Sequence, residues 1–182
     1  MPDMATLPVQ RMRLHVGDIT RLAIDAIVNA ANHTLMGGAG VDGAIHRAAG
    51  PRLREECKTL GGCRTGEAKI TAGHNLPATH VIHTVGPIYS DGSRNEAGLL
   101  RACYRNALTL AKQHNLAIVA FPCISTGVYG YPKAEACKLA TDTVHAWLME
   151  HDLPREVIFC CFSEEDVRLY EARLTEMKQL PR

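Results

Sequence analysis

Short runs that are apolar almost throughout recur along this chain: Ala26-Ile27-Val28, Val81-Ile82, Ala117 to Phe121, and Val157 to Phe162. A strand with one wet face alternates apolar and polar residues, whereas a strand covered on both faces does not. Between these runs lie segments of helical period. Leu99, Leu100, Cys103, Ala107, Leu110 and Ala111 share one face of a helix expected over about Glu96 to His114. Ala136, Leu139, Ala140, Val144, Trp147 and Leu148 make a similar stripe over Ala134 to His151. Ser163 then supplies an N-cap, and Glu164, Glu165 and Asp166 an acidic first turn, for a helix bearing Val167, Tyr170, Leu174 and Met177. Further strands are expected at Arg13 to Val16 and Glu67 to Thr71, with the run at Ala26 extending to Asn29 and the one at Val81 to Val85. A helix from Asp42 to about Cys57 meets Gly50-Pro51, which marks either a break or a new helical start. Strands alternating with helices around a doubly covered sheet define an α/β fold in three layers. Residues 12–182 read as one domain, and Met1 to Arg11, with two prolines and no period, as a flexible leader.

Composition narrows the partners. Lys plus Arg number 20 against 19 Asp plus Glu, a net charge of +1 with no dense basic run, so nucleic acid is disfavoured as the main partner. Seven scattered cysteines without a Cys-x-x-Cys or His-x-x-x-His spacing point to reduced thiols in a cytoplasmic protein and offer no zinc site. The longest apolar run, Leu116 to Phe121, is far too short to span a bilayer, and the first ten residues lack a signal-peptide core.

The chemistry concentrates in Asn29 to Gly50. A strand runs into Asn29 and Asn32, then a glycine cluster, then Asp42 at the expected start of a helix. Glycines let a backbone turn and approach a ligand closely, and free amides at a helix N-terminus attract an anion. Gly38-Ala39-Gly40-Val41-Asp42-Gly43 satisfies the dinucleotide pattern Gly-x-Gly-x-x-Gly, but eight residues separate Asn29 from Gly38, and no acidic residue sits where the next strand should carry one. A nicotinamide dehydrogenase is therefore disfavoured, and without Gly-Lys-Ser/Thr so is a P-loop. A second loop, Pro122 to Pro132, follows the strand at Ala117 to Phe121 and leads into a helix. Two amide-rich loops at strand ends of one sheet fit a diphosphate held from both sides.

Five ordered motifs carry a resemblance: Gly17-Asp18-Ile19-Thr20; Asn29-Ala30-Ala31-Asn32; Gly37 to His46; His83-Thr84-Val85-Gly86-Pro87; and Ile124 to Pro132. Over about Arg13 to Met177 the chain resembles the macrodomain family, in its MacroD-type branch, which includes bacterial O-acetyl-ADP-ribose deacetylases. The resemblance implies a macrodomain-like three-layer fold with a mixed, largely parallel sheet. It implies a ligand, ADP-ribose, and a hydrolase acting on its esters: O-acetyl-ADP-ribose, and mono-ADP-ribose on acidic protein side chains. It implies no cofactor and no metal. By position, Asp18 matches the acceptor for the adenine amine, with Ile19 adding a backbone contact, and Asn29 and Asn32 flank the ligand, Asn32 at the distal ribose. Gly38, Ala39, Gly40 and Val41 match the first phosphate loop, and Ser125, Thr126, Gly127, Val128 and Tyr129 the second. Phe162 is the candidate aromatic against adenine, with a rim or core role as its alternative.

Asp42 matches the aspartate assigned to catalysis, with Asn32 as its partner; an N-cap role for Asp42 is compatible. Ala39 departs from the glycine of many relatives, which implies a stiffer or shifted loop if that position needs positive φ. His46 and His83 read as hydrogen-bonded structural residues. A non-catalytic reader of ADP-ribose is the rival reading, separated from the enzyme by Asp42 and Asn32.

Overall fold

The computed structural model of the protein describes residues 6–180. Among them, six strands form one sheet: β1 (Met12–Val16), β2 (Ala26–Ala30), β3 (Ala68–Ala72), β4 (His80–Thr84), β5 (Ile118–Phe121) and β6 (Glu156–Cys161). The order is β1-β6-β5-β2-β4-β3, with every neighbouring pair parallel except β3 against β4. Five helices cover it: α1 (Gly40–Ala49), α2 (Pro51–Lys58), α3 (Glu96–Gln113), α4 (Lys133–Glu150) and α5 (Glu164–Gln179).

Side chains alternate across the sheet, and both faces are apolar. Ala26, Val28, Ile82, Val119, Phe121, Val157 and Phe159 enter a core with α3, α4 and α5. Ile27, Val81, Ala120 and Ile158 enter a second core with Ile45, Leu53 and Cys57 of α1 and α2. That double burial explains the absence of polar alternation in the sequence. The same alternation turns Asn29 of β2 and His83 of β4, a register pair, toward the α1/α2 face.

At Gly50 the ambiguity resolves as a new helical start. Its φ of +83° lies in the region that favours glycine, α1 ends there, and Pro51 takes the first position of α2. A Cβ at Gly50 would sit 2.7 Å from Asn75 Nδ2.

The expected leader is corrected over its second half. Pro8–Arg11 forms a 3-10 turn, and Val9 is buried in the larger core. Arg11 donates to four carbonyls between the last turn of α4 and the start of β6: Leu148 at 2.8 Å, His151 at 2.9 Å, Pro154 at 2.6 Å and Arg155 at 3.2 Å. Proline content marked the segment as irregular, but its docking depends on a guanidinium and carbonyls about 140 positions apart, which no local pattern reports. Residues 1–5 of the expected leader lie outside the described residues. Charge-assisted hydrogen bonds contribute more than neutral ones. Arg11→Ala should therefore lower the unfolding free energy by about 2–3 kcal/mol, measured by chemical denaturation.

Candidate active site

β2 and β5 are neighbours near the middle of the sheet, so the loops leaving their C-terminal ends emerge side by side. The first loop, residues 31–39, is shaped from within. Asn32 Oδ1 accepts from the Thr34 amide and hydroxyl at 3.1 and 2.6 Å, and its Nδ2 donates to the Gly37 carbonyl at 3.0 Å. Gly37 takes φ +97° and Gly40 φ +60°. The loop lies against α1 at Gly43, where a Cβ would approach the Gly38 carbonyl to 2.4 Å. Ala39 is the N-cap of α1 at φ −96°, ψ 179°. The stiffening expected of an alanine here does not arise, because positive φ falls on Gly37 and Gly40 instead. With no capping side chain, the amides of Gly40, Val41 and Asp42 have no backbone acceptor among the described residues. They form an open anion site at the positive end of a helix.

The second loop supplies the opposing wall. Ser125 is a buried non-glycine residue at φ +67°, a strained conformation that costs about 1–3 kcal/mol. Its Oγ donates to the Pro87 carbonyl at 2.8 Å, and its own carbonyl accepts from Tyr131 N at 2.8 Å. Gly86 makes room for it, since a Cβ there would lie 2.1 Å from Ser125 Oγ. The amides of Gly127, Val128 and Tyr129 have no backbone carbonyl partner among the described residues, and Val128 is almost fully exposed. Tyr129 O accepts from Tyr89 N at 2.8 Å, which ties this loop to residues 86–95.

That tether rests on a residue the sequence reading missed. Glu96 is buried, and its carboxylate accepts from the amides of Ser90, Gly92 and Arg94 at 3.1, 2.9 and 2.6 Å. Burial alone would raise its pKa, yet those donors hold it down at about 2. An acidic residue opening a helix in sequence gives no sign of the loop it gathers.

Asp42 is the third residue of α1, not its N-cap, and only 4% exposed. Its Oδ1 accepts from Asn29 Nδ2 at 2.9 Å and lies 3.5 Å from His46 Nε2, without hydrogen-bond geometry. Gly38 separates Asp42 from Asn32: a Cβ there would sit 3.1 Å from Asp42 Oδ2 and 3.4 Å from Asn32 Nδ2. The expected catalytic pair thus converges beside the phosphate loop. Asn29 is corrected. It is fully buried, with its carboxamide nitrogen committed to Asp42 and to His83 Nδ1 at 3.1 Å, so it supports the carboxylate from behind and does not face a ligand.

At the far end of the cleft, Asp18 follows β1. Its Oδ1 accepts from Thr20 N and Oγ1 at 2.9 and 2.7 Å, which keeps the carboxyl ionised, while Oδ2 has only a 3.9 Å contact with Arg21. Ile19 is buried, and its carbonyl accepts from Leu22 N at 3.3 Å. Phe162 emerges beside this turn, because Gly17 N donates to Cys161 O, and its ring is 87% exposed. So large an exposed aromatic side chain excludes the core alternative. Two hollows elsewhere, about 450 Å³ along α5 and about 260 Å³ between α3 and α4, lie away from these loops. No group of three His, Cys, Asp or Glu side chains among the described residues could hold a metal.

The family model described as Macro domain matches residues 28–140. An O-acetyl-ADP-ribose deacetylase from Escherichia fergusonii is 54% identical over 172 residues, covering 91% of this chain and 97% of its own. The ADP-ribose glycohydrolase MACROD1 of Rattus norvegicus is 53% identical over 167 residues, 91% of this chain and 65% of that protein. The chain belongs to the macrodomain family. A Trypanosoma brucei macrodomain solved in complex with ADP-ribose superposes with a TM-score of 0.88 at 44% identity, covering 94% of this chain and 72% of its own.

Electrostatics in this macrodomain follow from burial. Desolvation raises the Asp42 pKa above 3.8, with the Asn29 hydrogen bond and His46 acting in the opposite direction. Burial lowers the His46 pKa, so at neutral pH that imidazole is uncharged. A carboxyl whose pKa is raised by folding is a net destabilising group when ionised: the penalty is absent below pH 3.8 and grows as pH rises through the folded value. Asp42→Asn should consequently stabilise the protein by about 1 kcal/mol at neutral pH, with the gain vanishing in acid, as read from denaturant midpoints at the two pH values. Gly43→Ala should displace the Gly38 carbonyl and weaken ADP-ribose binding by about ten- to a hundredfold in calorimetry, with the fold retained by circular dichroism.

Proposed function

We propose that this macrodomain hydrolyses esters carried on the distal ribose of ADP-ribose, with O-acetyl-ADP-ribose as substrate and mono-ADP-ribose on acidic protein side chains as a second class. The observation that carries the reading is a buried carboxylate with a raised pKa, Asp42, set beside two loops of unpartnered amides. In this reading the amides of Gly40, Val41 and Asp42 hold one side of the diphosphate, and those of Gly127, Val128 and Tyr129 the other. Asp18 Oδ2 accepts from the adenine amine while the Phe162 ring covers the base. Asn32 keeps one Nδ2 hydrogen for the distal ribose.

Water then adds to the acyl carbon and gives its proton to Asp42. The ester bond to the ribose oxygen breaks, and the proton passes to that oxygen, leaving acetate and ADP-ribose. Holding water and ester together supplies much of the acceleration, and general-base help about 10²–10⁴-fold more. A carboxylate whose pKa burial has raised is the better base. Relatives named O-acetyl-ADP-ribose deacetylase and ADP-ribose glycohydrolase support the same chemistry. Seven free thiols, with Cys123 and Cys161 unbonded at 3.9 Å, accord with a reducing cytoplasm.

Wild-type protein should release ADP-ribose from O-acetyl-ADP-ribose, and Asp42→Ala should bind ADP-ribose within about threefold of wild type while kcat falls about 10²–10⁴-fold. Binding without turnover by the wild type would reduce the protein to a reader. Equal turnover by both proteins would point to a substrate phosphate as the proton acceptor.

A further inference from the structure

Behind Asp42 lies a buried chain of polar groups outside the substrate contacts described above. Asn29 Nδ2 donates to Asp42 Oδ1 at 2.9 Å and faces His83 Nδ1 at 3.1 Å. On the other side of the ring, His83 Nε2 lies 3.0 Å from Thr71 Oγ1 and 3.9 Å from Cys57 Sγ. Asn29, His83 and Thr71 come from three adjacent strands and are buried to 2% exposure or less.

The proton positions in this chain follow from the acceptor at its front. A carboxylate only accepts, so the carboxamide of Asn29 must turn its NH2 toward Asp42. The same NH2 carries a second hydrogen, which faces His83 Nδ1, so that nitrogen must be bare. The imidazole proton then sits on Nε2 and is donated to Thr71 Oγ1. Reversing any one member breaks its neighbour: an inverted carboxamide would set Asn29 Oδ1 against both a carboxylate and a bare ring nitrogen. Burial favours the uncharged ring, whose pKa is lowered to about 3, so protonation does not disturb the arrangement near neutral pH.

We propose that His83 is a positioning residue for the reaction: its bare Nδ1 takes the second hydrogen of the Asn29 carboxamide, with Thr71 accepting the Nε2 proton, and so locks that carboxamide in the single orientation that steers the Asp42 carboxylate toward the ester. The role rests on the hydrolase reading for its catalytic consequence, but its structural content stands independently. Among the described residues Asn29 Oδ1 has no partner, so the carboxamide is held through its nitrogen alone. Loss of the His83 acceptor would leave that group held only by its bond to Asp42.

His83→Leu removes the acceptor, whereas His83→Asn retains a side-chain oxygen near the Nδ1 position. His83→Leu should lower kcat about 10–100-fold, with KM and the ADP-ribose Kd within about threefold, and the Asp42 carboxyl should titrate at higher pH by carbon NMR. His83→Asn should recover a substantial part of both losses. Nitrogen NMR of the wild-type imidazole should show His83 bare at Nδ1 and protonated at Nε2. The opposite tautomer overturns the proposal, as does a folded His83→Leu protein with unchanged kcat and unchanged Asp42 titration. Should His83→Leu fail to fold, His83→Phe removes the same acceptor at closer volume, and unchanged kcat and Asp42 titration in that variant would count equally against the proposal. If wild type shows no esterase activity, the hydrolase reading fails by itself, and the tautomer and the Asp42 titration still decide the positioning role.

Discussion

The hydrogen bond from Asn29 to Asp42 joins the centre of the sheet to the first turn of α1, and the site is assembled around it. Asp42 can be buried because a donor meets it there and because the helix N-terminus favours negative charge. Asn29 can supply that donor because strand alternation turns it toward the α1/α2 face, where Ile27 of the same strand is packed. The loop between the two residues is thereby closed at both ends. Gly43 lets its Gly38 carbonyl lie directly on the helix, and Asn32 braces its interior. A ligand gripped by this loop is held in register with the carboxylate, since both are fixed to the same helical turn.

Several local features are unfavourable for stability and favourable for binding an anion. A helix beginning at an alanine N-cap forgoes a contribution of about 1 kcal/mol from a capping side chain. In return its first amides stay open. Ser125 at positive φ is strained, yet the turn it makes projects the next amides outward, and Gly86 leaves it the space. Glu96 gathers three amides of residues 90–94 and so fixes Tyr89 against Tyr129. The large apolar cores on both faces of the sheet supply the stability that tolerates these local losses.

What the sequence discloses follows from how local each cause is. Strands covered on both faces are apolar almost throughout, so β2, β4, β5 and β6 could be read from their apolar runs, and Ser163 with its acidic neighbours announced α5. The two candidate loops stood out because each sets small residues and free amides between a strand and a helix. Tertiary causes were not visible. Arg11 reaches carbonyls far along the chain. Glu96 looks like an ordinary helix-opening acid, and only the folded chain shows the amides around it. Asn29 and Asn32 stand three residues apart in one motif, yet one lies at the end of a strand that points inward and the other in the loop beyond it. Their separation into support and cleft depends on where β2 stops pairing with β4.

That separation bears on enzyme against reader. Binding ADP-ribose calls for donors to the diphosphate, an acceptor at adenine and a surface for the base, which the two loops, Asp18 and Phe162 provide. None of these needs a carboxylate withdrawn from solvent. Asp42 is buried at a cost to stability, and a buried carboxamide and a neutral imidazole are committed to keeping it oriented. A carboxylate held at a raised pKa is more basic than one in water, and its direction is fixed before substrate arrives. Those properties add nothing to affinity for an anion, which a buried negative charge opposes, but they do lower the barrier to deprotonating a water. The arrangement at Asp42 therefore favours the proposed hydrolase over a reader.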